Sequence, residues 1–378
     1  MGIQGLTPFL KKHAPTAFST VSMDAFSKKK IAIDISLFLY KYKIAFGDHW
    51  LSGIINMFTA LRENGIHPVV IFDGEAPVEK IEEQRNRRLM RDERNNKYDF
   101  LMAKVENYSK TGVVCDDLKV FHDKQVVLLN QNSLLPPLAD QEFNINLVVD
   151  KLSKIKNQNV KVTYADLQIV QELLNIMCIH SIQAPTEAEA LGSWLCVYNI
   201  VDAIMTEDTD VLAYAAPRFL NKINISSNTC TMIEHDKILS ELDFTKDQFV
   251  DFCIMCGCDY NNRVKGVGPI RIYKMLKKHK SIPTIIENET KYDFTCLNAN
   301  RVREMFTTPI QEVITEINAD ELWSNPPCFD NIEEFVNRHG CNTNFKRVYN
   351  ACLQDARLSK DAVKKNVYKK RASPSHRK

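Results

Sequence analysis

The sequence predicts an α/β protein with a twisted, mostly parallel central sheet flanked by helices. Three observations carry this. Residues 31–33, 69–72 and 203–205 are short apolar runs with the length and β-branched content of buried strands. Segments of helical period alternate with them, the pattern of a parallel sheet covered on both faces. Each run also ends in acid: Asp34, Asp73, and Asp208 with Asp210. In open parallel sheets ligand sites lie beyond the carboxyl ends of the strands.

The elements follow in order. After the strand at 31–33, closed by Asp34, come a helix and a second one near 54–63. A turn at "NGIHP" leads into the strand at 69–72. Residues 78 to about 107 form a long, highly charged, helix-prone run. Residues 111–160 mix apolar patches with Asn, Gln and a Pro pair, and read as an insertion without clear period. Helix, short strand ending near Gln183, helix and strand then occupy 161–205, and a helix, loop, glycine turn and helix run to 280. Residues 281–362 read as mainly helical, and 363–378, rich in Lys and Arg without an acid, as a disordered basic tail. The main regions are thus 1–110, an insertion at 111–160, 161–280, 281–362 and the tail.

Bulk properties narrow the class. The 378 residues are 44% hydrophobic, enough for a sizeable core. Net charge is +2, so only local charge placement can select a partner. Eleven scattered cysteines suit a reducing compartment, and "CIMCGC" lacks the second ligand pair that zinc requires. No signal peptide and no membrane-length apolar run is visible, so the expectation is an intracellular protein with no membrane association. "MGIQGLT" misses the myristoylation pattern at Leu6. Tyr42, Phe46 and Trp50 read as core, and His13, His67 and His180 as surface or packing residues.

Any one strand-end Asp is explained by capping the next helix. Glu187 and Glu189 are open to the same account, since Thr186 with Glu189 has capping-box spacing. On an ideal helix positions two apart diverge by about 200°, so these two converge only where a helix is starting. Asp259, before a glycine turn, is by itself a loop acid. Gathered on one rim, Asp34, Asp73, Glu187, Glu189, Asp208, Asp210 and Asp259 would repel severely. Hard divalent cations relieve that, and two of them suit phosphodiester hydrolysis. Lys80, Arg87 and Arg94 are seven apart, so they drift only about 20° per step and form one basic stripe with Arg91 beside it. Interleaved acids leave an ordinary solvated helix open as the alternative. Gly266 and Gly268 allow close backbone approach, the next helix offers free N–H groups, and Lys274, Lys277 and Lys278 add attraction for phosphate. A plain helical hairpin is the alternative there.

"MGIQGL", "IAIDISLFLY", "NGIHPVVIFDG", "APTEAEA", "TEDTDVL" and "GCDYNNRVKGVGP", in this order, closely resemble the flap endonucleases, structure-specific 5′ nucleases related to XPG. The resemblance covers roughly 1–110 and 160–280. It implies the PIN-like 5′ nuclease fold with a helical arch and a helix–turn–helix element. It implies hydrolysis of 5′ flaps at branched double-stranded DNA in replication, repair or recombination. It further implies two Mg²⁺ (or Mn²⁺) held by the seven acids, and K⁺ at the helix–turn–helix element. The amine of Gly2 would lie near the active site, Tyr40 would stack on a base, and Lys80 and Arg87 would stabilise transition-state charge. The insertion at 111–160 departs from the family pattern, and is expected to enlarge the arch or to bind a partner. No clear sliding-clamp motif is present near the C-terminus. A 5′ exonuclease or junction resolvase of the same superfamily, and a non-catalytic DNA-binding scaffold, are the competing functions. A monomer, at a nuclear or viral replication site, is expected.

Overall fold

The computed structural model describes residues 2–131, 143–157, 160–323 and 325–372. Its strands are β1 (Phe18–Ser22), β2 (Lys30–Asp34), β3 (His67–Phe72), β4 (His180–Gln183), β5 (Ala203–Met205), β6 (Arg218–Asn224) and β7 (Thr229–Glu234). They form one seven-stranded sheet in the order β1-β7-β6-β5-β2-β3-β4. Strands β2 to β6 run parallel, while β7 and β1 close one edge antiparallel. These two antiparallel strands carry no continuous apolar run. "FSTVS" and "TCTMIE" are half polar, as befits strands with a solvated face.

Successive residues of each strand enter opposite cores. Ala32, Ile204 and Phe219 pack on one face with Leu191, Leu195, Phe252 and Leu276. Ile31, Ile33, Met205 and Leu220 pack on the other with Ile54, Phe58, Leu174 and Cys352. Full burial of each such side chain contributes about 1.5–3 kcal/mol, which fixes the register. Ile33 lies opposite Met205, and Asp34 opposite Ile71. Strand β2 has β3 on one side and β5 on the other, so the chain order reverses there and a crevice opens at the strands' carboxyl ends.

The helices that frame this crevice, or hold the sheet behind it, are α1 (Ile35–Phe46), α2 (Trp50–Glu63), α3 (Ile81–Thr111), α4 (Asp116–Gln131), α5 (Ile145–Asn157), α6 (Ala188–Val197), α7 (Asp210–Ala213), α8 (Lys246–Cys256), α9 (Pro269–His279) and α10 (Phe345–Ala372). The insertion forms structure of its own. Leu101 and Val105 of α3 pack with Leu118 and Phe121 of α4 and with Val148 and Leu152 of α5. Each of these helices gives this small core only a few residues, which is why no strong period shows in the sequence. The first half of α3 has no such support and arches over the rim.

Two expectations need correction. The tail expected to be disordered from residue 363 is helical as far as Ala372, because no Gly or Pro interrupts its run of Lys and Arg; residues 373–378 lie outside the described residues. Of the three aromatics expected in the core, Trp50 is buried, but Phe46 is 51% exposed and stacks on Tyr42, ring centroids 5.5 Å apart.

Candidate active site

The carboxylates reach the crevice by different local routes. Asp34 ends β2 and caps α1, accepting from Leu37 N–H at 3.4 Å, while Thr206 Oγ1 donates to its other oxygen at 3.1 Å. Capping and site membership are therefore compatible here. The Thr186–Glu189 capping box does not form: Glu187 occupies the N-cap of α6 in extended conformation, and no side chain of α6 caps it. Asp73, at the end of β3, supplies the cap from a distance by accepting from Ala188 N–H at 2.9 Å. Because α6 is only starting, Glu187 and Glu189 both reach Lys80, the latter at 3.8 Å. Asp208 and Asp210 flank the end of β5 and the start of α7, with Asp210 N–H donating to Asp208 Oδ1 at 3.0 Å. Asp259 lies in the loop after α8, 3.1 Å from Lys80 Nζ.

Lys80 and Arg87 descend from the arch onto these acids. Lys80 contacts Glu187, Glu189 and Asp259, and Arg87 donates to Asp259 at 2.7 Å and to Glu83 at 2.8 Å. Burial pulls the Lys80 ammonium down, but Glu189, Glu187 and Asp259 together override it and hold it above its usual range. The acids show the opposite strain. Burial and then Asp208 push Asp210 well above the carboxylate range, and burial and then Glu187 do the same to Glu189. Burial and then Asp73 push Asp34 up to about 7.

That last shift has a measurable consequence. The folded value exceeds the ordinary 3.8, so ionised Asp34 penalises the native state. The penalty is absent below about pH 4 and complete above about pH 7. In EDTA, Asp34→Asn protein is expected to melt above wild type at pH 8, with the gap closing toward pH 4. Melting curves that coincide at both ends of this range would refute it.

The other expected site residues divide. Tyr40 is 37% exposed and lines two adjoining cavities, of about 320 and 510 Å³. The first is walled by Asp34, Asp73, Glu187, Glu189 and Asp208; Arg87 borders both. Arg91 and Arg94 line the second together with Gly2. Gly2 packs so tightly that a Cβ there would lie 2.2 Å from Asp208 Oδ1 and 2.7 Å from Asp210 Oδ1. Its segment is anchored by Gln4 N–H donating to Gly257 O at 2.9 Å. Gly266, at φ +77°, and Gly268, the N-cap of α9, face open space. Lys274 and Lys278 are exposed on α9. Lys277 is turned away, held by Asp243, whose backbone oxygen accepts from it at 3.1 Å. A lysine already paired with a carboxylate offers less to a phosphate than its spacing suggests.

Sequence reasoning missed Thr206, which orders Asp34, and the tyrosines Tyr214 and Tyr260 behind Glu187. The "TED" and "GCDY" stretches named their neighbours but held no signal for these hydroxyls.

A hard divalent cation fits this donor set. Every candidate ligand is a carboxylate, the preference of Mg²⁺ and Mn²⁺. Both Asp210 oxygens are buried without a hydrogen-bond partner, a costly state that a cation would relieve. Among the described residues no three His, Cys, Asp or Glu side chains close a cage as they stand. Lys80 is inserted among three of the acids instead, and Mg²⁺ in any case keeps several waters and takes few direct carboxylates.

A ring of acids beyond a parallel sheet, under a basic arch, defines a metal-dependent nuclease. The XPG N-terminal domain model matches residues 1–94 and the XPG I-region model residues 178–259. A probable RAD2-like endonuclease of Invertebrate iridescent virus 3 is 31% identical, across 89% of this chain and 92% of its own. Flap endonuclease 1 of Cryptosporidium parvum is 31% identical, across 93% of this chain and 69% of its own. The chain belongs to the XPG/flap endonuclease family, hydrolases of DNA phosphodiester bonds. The fold agrees. The solved flap endonuclease-1 from Methanococcus jannaschii superposes with a TM-score of 0.57 at 21% identity, over 91% of this chain and 97% of that one. The catalytic core of Rad2 in complex with DNA substrate does so with 0.59 at 17%, over 93% and 99%.

Proposed function

We propose that the protein is a structure-specific endonuclease that cuts 5′ flaps at branched duplex DNA, in replication, repair or recombination. The observation that carries this reading is the meeting of Lys80 and Arg87 with Glu187, Glu189 and Asp259 beside Asp34, Asp73, Asp208 and Asp210. Two Mg²⁺, held by these seven acids, would supply an activated water and neutralise the leaving oxygen. Lys80 and Arg87 leave their carboxylate partners for the non-bridging oxygens of the scissile phosphate, where their charge counts most. Tyr40 stacks on the base beside that phosphate. Arg91 and Arg94 draw the flap strand along the underside of α3, and the small core formed with α4 and α5 stiffens the far end of the arch. Gly266, Gly268, Lys274 and Lys278 hold the duplex through its backbone, with K⁺ completing that contact. The protein works as a monomer at a nuclear or viral replication site.

A 5′-labelled flap duplex, with and without Mg²⁺, tests the reading. Wild type is expected to release the flap only with Mg²⁺. Asp208→Ala protein should bind the same duplex and cut it at least about 10²-fold more slowly. Unchanged cutting by that variant would remove the site from this crevice.

A further inference from the structure

Behind Glu187 runs a buried chain of hydroxyls. Tyr260 OH donates to Glu187 Oε2, and Tyr214 OH lies 2.9 Å from Tyr260 OH. A phenol has one proton. Tyr260 spends its proton on the carboxylate, so Tyr214 is the donor in the second bond. The chain therefore has one direction, from Tyr214 through Tyr260 to Glu187. Successive donors polarise one another, so the last bond is the stronger for the first. The rings are locked: Tyr214 is 3% and Tyr260 5% exposed, and both pack on Phe306, at centroid distances of 4.9 and 5.6 Å. The opposite oxygen of Glu187, Oε1, faces Lys80. Glu187 is the N-cap of α6 yet makes no cap bond that would fix its rotamer. Nothing else described holds its second oxygen.

We propose that Tyr260, backed by Tyr214, is a positioning residue that orients Glu187 so that Oε1 is presented to the crevice for a divalent cation. This rests on the metal-dependent reading of the crevice above. Partners of this kind commonly change metal affinity by about 10- to 100-fold when removed. The two tyrosines are unequal in this scheme. Tyr260→Phe removes the donor to Glu187 outright, whereas Tyr214→Phe only weakens it. Tyr214 acts solely through Tyr260, so its loss should add nothing once Tyr260 is already Phe.

The test is Mn²⁺ binding to the full-length, DNA-free protein, read from the spin-resonance signal of free Mn²⁺, with thermal melting as the control for folding. Tyr260→Phe is expected to bind about tenfold more weakly, Tyr214→Phe a few-fold more weakly, and the double variant like Tyr260→Phe alone. With flap DNA, the Mg²⁺ concentration for half-maximal cleavage should rise in the same order while KM for DNA stays put. Wild-type affinity in a folded Tyr260→Phe protein overturns the inference and leaves the nuclease reading standing. So does a double variant weaker than Tyr260→Phe by the full Tyr214→Phe factor. Wild-type protein that takes up no Mn²⁺ overturns the metal reading, and this inference with it.

Discussion

Lys80→Ala protein is expected to lose about 10²- to 10³-fold in cleavage rate at saturating Mg²⁺, with a much smaller change in affinity for flap duplex. Lys80 sits at the foot of the arch, its side chain 12% exposed, against Glu187, Glu189 and Asp259. Two roles are open to an ammonium so placed. It can serve as a counter-ion for the acids, or as a donor to the phosphate that arrives above them. A counter-ion is replaceable, and excess Mg²⁺ would restore the rate. A phosphate donor is not, since an ion bound among the carboxylates leaves the vacated position empty. The expected result is that Mg²⁺ up to tens of times its half-saturating level does not rescue Lys80→Ala. The same variant should need no more Mg²⁺ than wild type, because the ammonium no longer competes for the acids. Titrating Mg²⁺ in single-turnover cleavage separates these cases, and full rescue would assign Lys80 to charge balance alone.

Arg87 differs in degree. Its side chain is 37% exposed and it shares itself between Asp259 and Glu83 within α3. Solvent screening leaves less to lose there, so its removal should cost less than that of Lys80.

The acidic rim was legible because buried parallel strands are written as uninterrupted apolar runs. Where such a run stops at Asp34, Asp73 or Asp208, the change of character marks the strand's carboxyl end. Period alone left Glu189 ambiguous, since its capping spacing is genuine while its hydrogen bond is not made. The cap came instead from Asp73, more than a hundred residues away in the chain, and no local pattern encodes that. The antiparallel strands β1 and β7 stayed hidden for a related reason: they are held by pairing, β1 with β7 and β7 with β6, and only one face need be apolar. The same limit applied to α4 and α5. "QVVLLN" offers four consecutive apolar residues, which fit strand and helix equally; Val127, Leu128 and Leu129 stay exposed, and the helix is held instead by Leu118 and Phe121 packing with Leu101 and Val105. Reading His67 as a surface or packing residue missed its charged partner for the same reason, because Asp355 lies at the other end of the sequence.

That partner belongs to a buried ionic cluster away from the crevice, whose disruption is expected to have a large effect on stability. Arg62 of α2, His67 at the start of β3 and Asp355 of α10 are all fully buried. Arg62 Nε lies 3.2 Å from Asp355 Oδ2, and its other nitrogens donate to the carbonyls of Met177 at 2.5 Å and Cys178 at 3.0 Å. His67 Nδ1 faces Asp355 Oδ1, and Ser359 Oγ lies 3.3 Å from the same ring nitrogen. The cluster thus ties the C-terminal helix to the strand whose far end carries Asp73. Removing Asp355 takes its counter-charge away from a guanidinium in the core. Asp355→Ala is therefore expected to lose about 3–5 kcal/mol, seen as a lower urea midpoint at unchanged slope. Flap cleavage well below the new midpoint should change little, because no group of the cluster lines the crevice. The companion Arg62→Met with Asp355→Leu decides the cause. If the loss comes from an orphaned charge, replacing both partners by apolar side chains of similar size recovers most of it. If it comes from the geometry of α10 docking, the double replacement stays as unstable as Asp355→Ala, and the ionic account of this contact fails.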